Sequence, residues 1–529
     1  MIISYAPGGY HGHLVSVEVD CRTGIPGMDI VGLPASEVRE ARDRARVAIR
    51  NSGFEFPARR ILVSLSPADV PKAGNGFDLA IAASILLSSS QLSWKPGKPV
   101  MMIGELHLDG SVGPVRGVLA AVAEAVESGV RAFLVPESNV REANEVSASG
   151  CVGLDNLRNL PWALHELVLG PSSRHTQRSE AASVEGLQRS RATGSAHGGP
   201  ASPEGGSLLS DYAQLRGLSD LKRMLEIAAA GGHHALIVGP PGAGKSAAVG
   251  LLPTILPPLN HDEAIEVTRI HSLAMDWQEG RGLLFSRPFR APHHNASLEG
   301  LLGGRLPQIP GEVALAHSGV LFMDEALEFR RPVLQGLREP LERRRIRVAR
   351  ARGNYWFPAA VQLIMATNRC PCGMLGRPDR SCLCSLADVD RYWRRLGGPL
   401  LDRIDLRMNV VPRPIDDLPE TDSSSAIARR VAAAVDFRLH TRGQLERNAD
   451  LTAVRGVEVC AMPAEARRVF RDATSRFGFS TRASVAVLRI ARTVADLAGV
   501  EAVGEEHVLE AVSYRRYGEQ RPLWQPDSE

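Results

Sequence analysis

The sequence contains no run of about 18 apolar residues free of charge, so a membrane-spanning helix is not expected. Its opening stretch, MIISYAPGGYHGHLVSVEVD, lacks the basic start and apolar centre of a secretory signal. Cysteine is scarce: seven occur in 529 residues, and four of them fall between positions 370 and 384. That distribution fits reduced thiols or a metal site better than a secreted disulfide framework. Neither sign of charge prevails, with 62 Lys and Arg against 59 Asp and Glu, so bulk charge identifies no partner and only local clusters can. Aromatic residues are few, at 5%, yet 44% hydrophobic and 23% charged residues are ordinary for a soluble globular chain. Together these features predict a cytoplasmic protein without membrane contact.

A chain this long exceeds what one hydrophobic core serves, and about three or four domains are expected. The stretch PSSRHTQRSEAASVEGLQRSRATGSAHGGPASPEGGS, residues 171–207, has almost no large apolar residues. It cannot bury enough surface to offset the entropy of ordering, which predicts a flexible linker. Within residues 1–170, HLVSVEVDC, MDIVGL, ARRILVSLSP and VMMIGELHL read as strands. ASEVREARDRARVAIRNSG and VRGVLAAVAEAVESG read as amphipathic helices, each stopped by a glycine. After the linker, LSDLKRMLEIAAAGG, HHALIVGP, SGVLFMDEA and AAVQLIMATN predict a parallel α/β core over residues 208–415. AEARRVFRDATSRFG, TRASVAVLRIARTVADLAG and GEEHVLEAVSYRR predict a helical lid over residues 416–520.

HHALIVGPPGAGKSAAVGLL holds a Gly-x-x-x-x-Gly-Lys-Ser pattern between an apolar strand and a helix. The turn runs Gly239, Pro240, Pro241, Gly242, Ala243, Gly244, Lys245, Ser246. Its glycines let backbone N–H groups close around a β-phosphate, Lys245 neutralises the β/γ oxygens, and Ser246 ligates Mg²⁺. The plain alternative is a glycine-rich turn. In GVLFMDEA, Asp324 and Glu325 end an apolar run. Two carboxylates there suit Asp324 holding Mg²⁺ through water and Glu325 polarising an attacking water; the alternative is an acidic helix cap. Asn368 ends a third apolar strand, VQLIMATN, where an amide orients that water without adding charge. An asparagine that merely starts a turn is the other reading.

These residues, with RPFRAPHHNASLEGLLGG, PGEVALAHSGVLFMDEALEF, MATNRCPCG, GPLLDRIDL and TRASVAVLRIARTVADL, resemble the ComM/YifB branch of the magnesium-chelatase-like AAA+ ATPases. The resemblance runs over nearly the whole chain. It implies a P-loop AAA+ core with a helical lid, ATP and Mg²⁺ as substrate and cofactor, and a ring, expected to be a hexamer, with ATP between subunits. It implies that Arg403 is an arginine finger for the adjacent subunit, the alternative being a local pair with Asp402 or Asp405. Arg482 is similar to the family's second sensor arginine, with Arg489 and Arg492 on the same helix. The long stretch between Lys245 and Asp324 is accounted for in the family as an insertion in the second helix that lines the channel. His293 and His294 there either touch nucleic acid or pack as structural histidines. Residues 1–170 resemble the proteolytic domain of Lon, an α+β fold like the second domain of ribosomal protein S5, through VPKAGNGFDLAIAASILL and GELHLDGSVGPVRGVLAAVAEA. Gly76 and Gly117 stand where its nucleophilic serine and its lysine are expected, which predicts a scaffold without peptidase chemistry.

Cys370, Cys372, Cys382 and Cys384 supply four thiols, enough for a closed tetrahedral zinc site. Their Cys-x-Cys spacing is tighter than the usual knuckle, so structural zinc, plain reduced thiols and a redox sensor all stay open. LERRRIRVARARGNYWF is the most basic patch. As a strand it puts Arg343, Arg345 and Arg347 on one face and Ile346 and Val348 on the other, with a turn at Gly353–Asn354. Those arginines either track a phosphate backbone or protect a solvated edge. Tyr355 and Trp356 either stack on bases or pack in the core. The leading expectation is a hexameric ATP-driven motor acting on DNA in branch migration during uptake and recombination. The rival is a chelatase- or chaperone-like ATPase that remodels a protein partner.

Overall fold

The computed structural model describes residues 1–94, 97–147, 150–169, 209–274, 277, 282–304, 309–350, 353–377, 380–411, 422–519 and 522–524. The 171–207 stretch lies outside the described residues.

The first sheet has seven strands: β1 (Ile2–Ala6), β2 (His13–Arg22), β3 (Gly27–Val31), β4 (Arg60–Ser66), β5 (Val100–Met102), β6 (Ala132–Pro136) and β7 (Cys151–Leu154), in the order β3-β4-β2-β1-β5-β6-β7. Strand β2 runs antiparallel to both β1 and β4, and the remaining pairs are parallel. β1, β6 and β7 were not read from the sequence, and the expected strand VMMIGELHL is broken in two. The chain leaves the sheet at Gly104, where a Cβ would stand 2.7 Å from Val112 Cγ1. Helices α1 (Ser36–Asn51), α2 (Asp78–Ser88) and α3 (Val118–Glu127) cover the sheet. α2 is buried from Asp78 to Leu86, which explains its unbroken apolar sequence. Asp78 is satisfied there by Arg44 at 2.7 and 3.0 Å and by the Leu106 N–H at 3.2 Å.

The second sheet orders β9 (Phe289–Arg290), β10 (Val320–Met323), β13 (Gln362–Thr367), β8 (Ala235–Val238) and β14 (Leu406–Asn409), all parallel. Every residue of β8, β10 and β13 is buried, as strands covered on both faces require. The stretch expected as an insertion in the second helix contains β9, a half-buried edge strand of this sheet. Helix α4 (Ser219–Gly231) packs on this sheet and ends at Gly232, whose φ of 77° is left-handed. Among the described residues, five α-helices follow: α8 (Ser424–Asp436), α9 (Ala453–Cys460), α10 (Ala464–Phe477), α11 (Thr481–Leu497) and α12 (Glu505–Arg515). Buried His233 joins them to the core, 3.0 Å from Asp405 and 2.7 Å from Thr493 of α11.

Arg269, on helix α6 (His261–Ser272), fastens the two halves. It is buried, lies over the Tyr10 ring at 4.4 Å, and donates to Tyr10 O at 3.1 Å, Glu124 at 2.6 Å and Glu127 at 3.1 Å. No helix of the described residues is long and apolar enough to cross a membrane.

Candidate functional site

Strands β8, β10 and β13 end side by side, and their parallel order brings three loops to one crevice. The Gly239–Ser246 turn leaves β8 and enters helix α5 (Lys245–Gly250). Gly244 is left-handed, φ 78°, and a Cβ there would meet Leu218 at 2.7 Å, so only glycine fits. Lys245 Nζ donates to Gly239 O at 2.7 Å, Pro240 O at 2.8 Å and Asn368 Oδ1 at 3.3 Å. Burial pulls its pKa down to about 8, against the charges of Asp324 and Glu325. A cavity of about 380 Å³ is lined by the turn from Pro241 to Ser246 and by Asp324, Glu325 and Asn368. The structure thus brings together the residues singled out at three separate places in the sequence.

Glu325 is left-handed, φ 49°, and its N–H donates to Asp324 Oδ1 at 2.9 Å. Its carboxylate meets His294 Nδ1 at 3.4 Å, while the His293 and His294 rings lie tilted with centroids 4.1 Å apart. Sequence reading did not find that pairing, because the two residues lie on different loops; the RAPHH stretch after β9 was its only trace. Arg290 fixes that stretch by a double hydrogen bond to Glu312 at 2.7 and 2.8 Å.

Arg403 and Arg482 are absent from that cavity. They line a second one, of about 440 Å³, which shares no lining residue with the first. There Arg403 pairs with Glu342, and Arg482 approaches the same carboxylate at 3.9 Å. Arg403 does not pair locally with Asp402 or Asp405. Of the other lid arginines, Arg489 donates to Leu451 O at 2.7 Å and buried Arg492 pairs with Asp496 at 3.1 Å. Arg482 alone of the three is largely exposed. Within one chain Arg482, expected as a second sensor, lines the same hollow as Arg403 and not the cavity at the Gly239–Ser246 turn.

The basic stretch needs two corrections. Arg343 closes helix α7 (Arg338–Arg343), and the left-handed Arg344, φ 53°, turns the chain before β11 (Arg345–Arg350) begins, so Arg343 shares no strand face with Arg345 and Arg347. Gly353 and Asn354 open β12 (Gly353–Pro358), paired with Arg350 and Ala349, rather than forming the turn. The connecting residues 351–352 lie outside the described residues. Arg345 and Arg347 are exposed, while Ile346 and its partner Phe357 are buried. Trp356 packs on the rings of Tyr10 and His11, at 5.4 and 5.3 Å, and accepts the Tyr10 N–H at 3.0 Å.

Cys370, Cys372, Cys382 and Cys384 converge, all four Sγ atoms within 4.8 Å of one another, and none is in a disulfide. In the N-terminal half, a cleft of about 490 Å³ is lined by Asn75, Gly76, Glu105, Gly117 and, from the other half, Leu273. Gly117 has φ 76°, and a Cβ there would stand 2.9 Å from Leu273 Cδ2. A Cβ on Gly76 would meet Ile103 at 3.1 Å.

Residues 17–139, 211–418 and 421–515 match families described as “Subunit ChlI of Mg-chelatase”, “Magnesium chelatase, subunit ChlI” and “Magnesium chelatase, subunit ChlI C-terminal”. The “Uncharacterized protein YifB” of Salmonella typhimurium is 37% identical over 518 residues, 96% of this chain and 95% of that protein. “Competence protein ComM” of Haemophilus influenzae is 35% identical over 526 residues, 97% of each chain. A “Lon protease” of Trichlorobacter lovleyi is 27% identical over 142 residues, 26% of this chain and 17% of the protease. The chain belongs to the ComM/YifB family of magnesium-chelatase-like AAA+ ATPases.

Proposed function

We propose that this chain is an ATP-hydrolysing ring motor that acts on DNA. One observation carries the ring: the Gly239–Ser246 crevice and the Arg403–Arg482 crevice share no residue within a chain. An arginine pair that cannot serve its own phosphates is suited to a neighbour's, and an always-charged planar fork is what a γ-phosphate takes. The family's hexameric habit sets the expected number of copies.

ATP is the substrate. The open turn N–H groups and Lys245 receive its phosphates, Glu325 accepts a proton from water, and Asn368 aims that water. Ser246 and Asp324 present hydroxyl and carboxylate oxygens, the hard donors that Mg²⁺ takes. Bound there, the ion would neutralise charge on the phosphate oxygens. His294, 3.4 Å from Glu325, orients the base.

DNA as the polymer is supported by the exposed Arg345 and Arg347 on one hairpin face, and by the name of the Haemophilus relative. Trp356 packs on Tyr10 and His11 and is 37% exposed. Branched DNA should bind in a gel-shift and stimulate ATP turnover, with Glu325→Gln as the non-hydrolysing control. Charge reversal at Arg345 and Arg347 should weaken binding and reduce its salt slope by about 1 for each phosphate no longer neutralised. Absence of both binding and stimulation would leave the chelatase- or chaperone-like reading instead.

A further inference from the structure

We propose that Cys370, Cys372, Cys382 and Cys384 hold a structural zinc ion that braces the loop between Asn368 and the Gly239–Ser246 turn. The sulfurs come from two segments of the chain, yet Cys370 and Cys372 lie 3.4 Å apart, and Cys382 lies 3.6 Å from each. Cys384 completes the group within 4.8 Å. Zinc–thiolate bonds of about 2.3 Å in a tetrahedron place sulfurs about 3.8 Å apart. Disulfide sulfurs stand about 2.05 Å apart. The spacing of Cys370, Cys372 and Cys382 suits three ligands around one ion, and Cys384 lies near enough to be the fourth.

The surroundings fit such a centre. The Leu375 N–H donates to Cys370 Sγ at 3.3 Å, the kind of outer hydrogen bond that orients a metal thiolate. Arg391 and Arg395 line the same hollow as Cys372 and Cys384, where zinc with four thiolates carries a net charge of about −2. Four sulfur ligands leave no open position, so the ion is structural and does no hydrolysis itself.

The brace reaches the neighbouring crevice through close approaches. Gly373, left-handed at φ 75°, lies so near the turn that a Cβ would be 2.7 Å from Pro241 Cγ and 3.8 Å from Asn368 Nδ2. On the other side the Arg369 carbonyl accepts Trp393 Nε1–H at 3.0 Å, and Arg369 Nε donates to Asn409 Oδ1 at 3.1 Å. A metal clamp at Cys370 and Cys372 therefore fixes backbone that touches both the turn and the Asn368 amide. This second half of the proposal rests on the nucleotide reading above.

The test uses the purified full chain. Metal analysis should give one zinc per chain in the wild type and a loss of most of it in Cys372→Ser and Cys384→Ser, whereas Cys460→Ser retains it. Cobalt exchanged into the wild type should show the charge-transfer and visible bands of a tetrahedral thiolate site. If the serine variants do not fold, the wild-type zinc content and the cobalt spectrum decide alone. Zinc below about a tenth per chain with no cobalt spectrum overturns the site, as does a disulfide among the four in alkylated, unreduced protein. Zinc removal by chelation should weaken binding of a fluorescent ATP analogue about tenfold, reversed by added zinc. Unchanged affinity overturns the brace while leaving the site. Loss of nucleotide binding in the zinc-loaded protein would instead overturn the nucleotide reading.

Discussion

Replacing Glu342 by glutamine removes one charge and keeps the shape, and it bears directly on whether two copies share a site. In the single chain the Glu342 carboxylate holds Arg403, whose side chain is 14% exposed, with Arg482 3.9 Å away. For Arg403 to reach a neighbour's γ-phosphate, that pair must break. A charge-assisted hydrogen bond is worth about 1.5–3 kcal/mol when shielded from water. Glu342 is 50% exposed, which brings the pair to about 1 kcal/mol. Relief of that amount lowers the concentration for association by about fivefold. ATP turnover per chain, followed against protein concentration alongside sedimentation, should therefore reach half its plateau at about one-fifth of the wild-type concentration. Arg403→Ala should bind nucleotide with unchanged affinity and show no plateau at any concentration. A half-plateau concentration in Glu342→Gln equal to or above that of the wild type refutes the displacement argument. A lowered plateau at an unchanged concentration refutes it too, since Glu342 would then support Arg403 and not compete for it.

Two further outcomes follow from buried charge. Lys245 is held at about 8 rather than 10.5, so between those values the folded chain without nucleotide carries fewer protons than the unfolded one. Its stability rises with pH across that window, and the penalty is full below it. Urea midpoints should climb more steeply there in the wild type than in Lys245→Met, and equal slopes refute the assignment. Arg269→Ala strips the cation from Glu124, 18% exposed, from Glu127 and from the Tyr10 ring. Breaking so buried a pair should cost about 3–5 kcal/mol in denaturant unfolding, partly restored by adding Glu124→Gln. A loss under about 1 kcal/mol, the worth of an exposed pair, shows that Arg269 does not clamp the halves.

What the sequence disclosed followed from local rules. ALIV, VLFM and QLIMAT are legible because central parallel strands are buried on both faces and need no alternation. The Gly239–Ser246 turn is legible because its chemistry and its left-handed glycines are consecutive in the chain. Strand Ile2–Ala6 was missed although fully buried, since Ser4 and Tyr5 interrupt its apolar run and leave neither a period nor a continuous stretch to read. Arg343 was misplaced because the left-handed Arg344 moves the strand's start, a backbone choice that arginine does not advertise. Glu342 with Arg403, His294 with Glu325 and Arg269 with Glu124 were out of reach altogether. Each joins side chains on separate elements, and only the packed fold supplies that adjacency.

The same adjacency links the N-terminal cleft to the ATPase half. Leu273 follows α6, the helix that carries Arg269, and reaches the wall of the cleft at Gly117. A side chain at position 117, a lysine included, would have to displace Leu273 and would also strain a backbone at φ 76°. A general base at that position would therefore compete with the seat that Leu273 takes beside Gly117. The bare glycine is what lets the ATPase half seat on this wall, with Tyr10 and Ala120 sharing one apolar cluster with Leu273 and Leu301. The two halves thus meet at the C-terminal end of α6, where Leu273 follows the helix.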